Sequence, residues 1–185
     1  MYRYCFAVPR ERVELSRPLG TKALKAFVSA IPPPRRPHII PCYNKNVKYD
    51  YFVSSRWRNK PLVEEFIKKL RAEGLRVYSF IENKHASSFV DEDPEKAIQK
   101  LESAKDWKTN ELHKGLFRVD MKGLKDSRNF ILLLPAGKSC HIEAGVAYGL
   151  GKKCILIGEV EKAETSYMIF SEFYPTIDDF IGSLR

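Results

Sequence analysis

From Lys48 onward the apolar positions alternate between two kinds of pattern. Unbroken apolar runs, "KYDYFVSS", "LRVYSFIE", "NFILLLP" and "KKCILIGE", predict buried strands. Between them "KPLVEEFIKKLRAEG" carries its apolar residues at helical spacing and is closed by Gly74, so the first two strands and this helix form a βαβ unit. A charged stretch from Asp93 to Leu112 predicts a helix with Pro94 in its first turn and Ala97, Ile98, Leu101 and Ala104 on one face. "FRVDMKGLKDS" predicts a further short helix, and "SCHIEAGVAYGLG" a helix of small residues. "TIDDFIGSLR" predicts a last helix, with Thr176 as cap and Asp179 completing a capping box.

Apolar strands without polar alternation, separated by helices, imply a parallel sheet covered on both faces. The expected fold is an α/β doubly wound domain of three layers with four or five strands. Ligands of such sheets bind beyond the carboxyl ends of the strands, near the switch in strand order. That directs attention to three loops: Ser54 to Asn59, Asn83 onward, and Pro135 to Cys140.

Composition divides the chain. With 185 residues and 44% hydrophobic content it can bury one sizeable core. Of the net charge of +9, residues 1 to 48 supply +8, from 10 Lys/Arg and 2 Asp/Glu, so the body of the protein is nearly neutral. Seven of the eleven prolines also precede residue 49, including the run "IPPPRRP". Such a segment favours extended conformations and offers little periodic apolar surface. A basic Pro-rich arm suits nucleic acid or an aromatic groove, but the neutral body gives a charge-driven nucleic-acid binder little support.

The string "RERVELSRPLGTKALKAFVSAIPPPRR" resembles peptides that arise when a transfer RNA gene is translated on its wrong strand. The expected organisation is therefore a basic Pro-rich segment 1–47 that is disordered or not genuine coding sequence and a functional domain 48–185, with Val47 as an alternative start. Cys5, Cys42, Cys140 and Cys154 show neither the spacing of a zinc site nor the density of a disulfide scaffold, so no metal is expected. No apolar run approaches the roughly 20 residues of a membrane span. A cytoplasmic protein is the expectation.

Glu143 stands at the start of the small-residue helix, between two apolar strands. A first-turn carboxylate is favoured by the helix dipole, which alone accounts for it. Ala144, Gly145, Ala147 and Gly149 leave almost no side chain on that helix, so a ligand or a neighbouring backbone can approach closely. Both accounts fit the spacing.

"LLLPAGKSCHIEAGVAYGLGKKCILIG", with "YDYFVSSRWRNKPLVEEFIKKLRAEGLRVYSF", resembles the nucleoside 2-deoxyribosyltransferase family and its branch of deoxynucleoside monophosphate N-hydrolases. The likeness runs over about 48–185 and implies a flavodoxin-like fold. It implies Glu143 as nucleophile and Asp120, on the short helix before the third strand, as the acid that protonates the departing base. Ser54, Ser55 and Arg56 fall where members contact sugar or phosphate, and Gly137 and Ser139 precede the helix whose N-terminus suits a phosphate. No cofactor is implied; the partner is a nucleoside or nucleotide, and a homo-oligomer that shares residues between sites is implied as well. The chain departs from the family at Arg128 and Asn129, where many members carry an acid, and in the charged stretch after the second strand.

Other residues carry weaker signals. Lys138 reads as a surface lysine, His141 as a rim or packing residue, and Cys140 lacks the partners a thiolate nucleophile needs. Trp57 and Tyr78 suit either base stacking or the core. A TIR-like NAD glycohydrolase and a non-catalytic nucleotide sensor are rival readings of the same motif; the flanking "EAGVAYGLGKK" fits the first family better. An intact-mass measurement on natively expressed protein checks the reading of the N-terminal segment: the expected product begins at residue 47, and a mass that includes Met1 to Asn46 refutes it.

Overall fold

The computed structural model describes residues 47–83, 93–162 and 164–185. The expectations for 1–46 and for the stretch 84–92 lie outside the described residues. Within them the predicted parallel sheet is present with five strands: β1 (Tyr49–Ser54), β2 (Val77–Ser79), β3 (Ser127–Leu133), β4 (Lys153–Ile157) and β5 (Glu172–Tyr174). Their order is β2-β1-β3-β4-β5, and every neighbouring pair runs parallel. This is the doubly wound, flavodoxin-like α/β arrangement, and its strand order reverses between β1 and β3.

Strand alternation sorts the side chains onto two faces. Val53, Ile131, Leu133, Ile155 and Ile157 face α1 (Lys60–Ala72), which contributes Val63, Phe66, Ile67 and Leu70. Phe180 of the C-terminal helix closes the same layer. On the opposite face Phe52, Phe130, Leu132, Cys154 and Leu156 meet two other helices through Leu124, Ala144 and Ala147. Ser54, two residues beyond Phe52, therefore points to this second face.

The helices begin and end for local reasons. α1 has Pro61 in its first turn, and Gly74 beyond its end takes φ +77°, a conformation open to glycine at little cost. α2 (Pro94–Glu102) is capped by Asp93, whose carboxylate accepts from Glu95 N at 2.8 Å. α3 (Glu111–Lys125) is capped by Asn110, which accepts from Leu112 N at 3.1 Å. α4 is Lys138–Gly149. In α5 (Ile177–Gly182) the predicted capping box is formed: Thr176 Oγ1 accepts from Asp179 N, and Asp179 Oδ2 accepts from Thr176 N, both at 3.1 Å.

Two expectations change. The helix predicted over Asp93–Leu112 stops at Glu102, and the short helix predicted from Phe117 is the second half of the 15-residue α3. Asn110 sets the new start, because its side chain accepts from the backbone donors of the first turn of α3. The strand predicted over Leu75–Glu82 pairs only from Val77 to Ser79 and then tightens into a 3₁₀ turn, Phe80–Glu82. Its ladder ends where Val53 pairs with Ser79, close to the end of β1, so no partner extends it.

Phe66 is fully buried, whereas Leu62 on the same helix is 38% exposed. Phe66→Ala is expected to lower stability by about 3–5 kcal/mol in urea unfolding and Leu62→Ala by less than about 1 kcal/mol. Equal losses would contradict the packing described here.

Candidate active site

Two of the loops singled out by strand order, Ser54 to Asn59 and Pro135 to Cys140, converge, and of the third only Asn83 is described. Beyond β1, Ser55 Oγ donates to Leu133 O at 2.9 Å and accepts from Asn59 Nδ2 at 3.0 Å. The same Asn59 amide reaches Pro135 O at 2.7 Å, and Asn59 Oδ1 accepts from Arg56 Nε at 3.2 Å. These bonds tie the loop after β1 to the end of β3, where the Leu134–Pro135 bond is cis. Above them lies a cavity of about 550 Å³, within the size range of small-molecule sites.

Three carboxylates line this cavity, Glu143 from α4, Asp120 from α3 and Glu102 from the end of α2; the first two are held by hydrogen bonds from the sheet side. Ser54 Oγ donates to Glu143 Oε2 at 2.6 Å, a short charge-assisted bond that fixes one oxygen. Burial pushes the Glu143 carboxyl up to about 7, and the nearby charge of Asp120 adds to the rise; the Ser54 bond acts in the opposite sense. Asp120 Oδ1 accepts from Tyr78 Oη at 2.8 Å and from Asn83 Nδ2 at 3.3 Å. Burial raises its carboxyl above the ordinary value, against these two hydrogen bonds.

Glu143 is the sixth residue of α4, in the second turn rather than the first. No acidic residue occupies the first turn of α4. The helix starts at Lys138, one residue earlier than expected, with Gly137 as its cap in extended conformation. The dipole account of Glu143 therefore fails, since that effect fades within the first turn. What holds the residue is Ser54 on the sheet.

Of the other expected site residues, Ser55, Arg56, Gly137 and Ser139 line the cavity, together with Lys138. Ser54 is almost fully buried and meets the site through Glu143, with the Cys140 thiol also beside it. Both serines spend their protons on protein oxygens, so toward a ligand they offer acceptor capacity only. The Arg56 terminal nitrogens have no ion-pair partner among the described residues, and Arg56 lines the same cavity as Gly137 and Lys138. Burial pushes the Cys140 thiol up, which opposes a thiolate role.

Trp57 lines the cavity and packs on Phe80 with ring centroids 5.5 Å apart. Tyr78 belongs to the core but sends its hydroxyl to Asp120. His141 is a packing residue: its ring nitrogens meet Gly137 O at 2.8 Å and Tyr167 Oη at 2.9 Å. Sequence reasoning missed the apolar wall of Phe80, Ile98, Leu101 and Leu116. Ile98 and Leu101 show helical spacing, a signal shared by a core face and a ligand wall. Among the described residues no group of three or more His, Cys, Asp or Glu side chains is placed to hold a metal ion, and no helix is long and apolar enough to cross a membrane.

No protein-family model and no curated protein matches the chain. Among solved structures it is similar to a 2-deoxyribosyltransferase from Bacillus psychrosaccharolyticus, at 16% identity and a TM-score of 0.48, over 71% of this chain and 89% of that one. It is also similar to a CMP N-glycosidase from Clostridium botulinum, at 20% identity and a TM-score of 0.40, over 72% of this chain and 96% of that one.

In the folded chain Glu143 keeps its proton to about pH 7, whereas the ordinary value is 4.5. The folded state thus holds an extra proton between these values, and stability falls as pH rises through that window. Glu143→Gln keeps an acceptor for Ser54 and removes the titration. The variant is expected to gain about 1–3 kcal/mol over wild type between pH 5 and pH 8 in urea unfolding. A constant difference across that range would show that Glu143 titrates normally.

Proposed function

We propose that this protein cleaves the N-glycosidic bond of a 2′-deoxynucleoside or its 5′-monophosphate through Glu143, passing the glycosyl group to another base or to water. The observation that carries the proposal is the pair of partly buried carboxylates, Glu143 and Asp120, on two helices around one cavity, each held by a donor from the sheet. The resemblance of the sequence around Glu143 to nucleoside 2-deoxyribosyltransferases supports the same reading.

The chemistry follows from charge. Breaking the bond from C1′ to a base nitrogen develops positive charge on the sugar, which a carboxylate beneath C1′ stabilises. Glu143 Oε1, free of the Ser54 bond, attacks C1′ and forms a glycosyl ester while the C1′–N bond breaks. Asp120 gives its proton to the departing nitrogen and is left ionised. A second base or a water then attacks C1′, Asp120 takes the proton of that nucleophile, and the ester electrons return to Glu143.

The remaining lining residues have roles consistent with this substrate. The apolar wall of Trp57, Phe80, Ile98, Leu101 and Leu116 suits the faces of a planar base. Arg56, Lys138 and the first backbone N–H groups of α4 suit an anionic 5′ substituent. The nucleophile works as its anion and Asp120 as its acid, so kcat/KM is expected to rise as pH approaches 7 from below.

A panel of deoxynucleosides and their monophosphates, each with and without a second free base, tests the proposal by chromatography. Base released without an acceptor establishes hydrolysis; a new nucleoside formed only with one establishes transfer. Glu143→Ala is expected to lower kcat by at least roughly a thousandfold, and Asp120→Asn by roughly 10²–10⁴-fold. Folded wild-type protein that binds these ligands and never turns them over would replace the enzyme with a nucleotide sensor.

A further inference from the structure

Tyr78 occupies an unusually confined seat beside Asp120. Its ring stacks on Phe52 with centroids 5.0 Å apart and planes 10° from parallel, and meets Tyr49 edge-on at 5.5 Å. The third side is Gly123 of α3, where an added Cβ would lie 2.4 Å from Tyr78 Cε2 and 2.5 Å from Cδ2 and Cζ. Glycine is a poor helix former, yet alanine has no room at this buried position. Asp120 and Gly123 are spaced i, i+3 and share one face of α3. A ring lying over the glycine therefore has its hydroxyl beside Asp120, and the bond to Oδ1 is 2.8 Å.

We propose that Tyr78, seated on Gly123, is a positioning residue for Asp120: it holds Oδ1 against the protein so that Oδ2 faces the cavity and carries the transferable proton. This rests on the reading of Asp120 as the acid of an N-glycosidic reaction. Asn83 shares Oδ1 at 3.3 Å, while Oδ2 has no hydrogen-bond partner among the described residues. The other titratable or charged groups that share the cavity lining are Glu143 of α4, Glu102 of α2, Arg56 and Lys138, and Tyr49 from the sheet packs on Tyr78. Only Tyr78 and Asn83 hydrogen-bond to it among the described residues. Burial and the charge of Asp120 keep the phenol protonated, so it donates throughout the working pH range. Its bond favours the ionised carboxylate, and removing it should strengthen the hold of Asp120 on its proton.

The full chain labelled with carboxyl-¹³C aspartate allows a direct test, with the Asp120 resonance assigned through Asp120→Asn. Tyr78→Phe is expected to move the Asp120 titration midpoint to higher pH, and Gly123→Ala, which displaces the ring, to move it the same way. An unchanged midpoint in folded Tyr78→Phe overturns the proposal. A midpoint moved by Tyr78→Phe but not by Gly123→Ala overturns the part assigned to the glycine. This readout needs no turnover, so it decides the Tyr78–Asp120 relation even if base release is never seen and the functional reading falls.

With an active enzyme, Tyr78→Phe is expected to lower kcat roughly 3- to 10-fold with KM little changed, and to carry the alkaline limb of the pH profile upward with the midpoint. A raised KM at unchanged kcat would assign Tyr78 to substrate binding and overturn the positioning role.

Discussion

The hydrogen bond from Ser54 Oγ to Glu143 Oε2, 2.6 Å long, is the contact on which the site depends. It joins the last residue of a central strand to the second turn of a helix, 89 positions away in sequence. A carboxylate in this setting has lost most of its water, and without a donor it would be neutralised or would move to solvent. The serine leaves it poised, ionisable near neutrality and fixed on one side. The outcome depends on the parity of β1: an odd shift in register would turn Ser54 toward α1 and leave Glu143 facing the sheet without a donor.

The rest of the fold serves that contact. The parallel pairing of β1 with β3 sets the ends of both strands side by side, and Ser55 and Asn59 lock the loops that leave them. α4 lies close to the sheet because the residues it buries there, Cys140, Ala144 and Ala147, are all small, which brings Glu143 within reach of Ser54. α3 brings Asp120 from the neighbouring position on the same face. Glu143 and Asp120, on separate helices, thus share one cavity while each keeps its own hydrogen-bond donors.

The depression lined by Lys48, Arg71, Leu75 and Arg76 at the opposite ends of the strands shows none of this convergence. Arg76 is paired with Asp50 at 3.0 Å and Arg71 with Glu82 at 2.7 Å, both on the surface. Such exposed pairs satisfy charge locally and contribute little to stability. Polar atoms aimed into a partly enclosed, apolar-walled space distinguish the carboxyl end of the sheet.

Hydrophobic pattern alone determined most of the fold, because a strand buried on both faces has to be apolar throughout and a helix on a sheet has to be apolar on one side. It also marked Glu143, since a carboxylate amid small and apolar residues conflicts with burial, and the resemblance around it added Asp120. Only the tertiary structure decided that Glu143 belongs to the second turn and is held by Ser54, that Tyr78 serves Asp120, and that Ile98 and Leu101 line a cavity. Each of these depends on which surfaces meet across distant parts of the chain, and periodicity reports only that a face is apolar. The start at Asn110 was local chemistry, yet a charged helical stretch continuing past a capping residue reads the same until packing selects the second start.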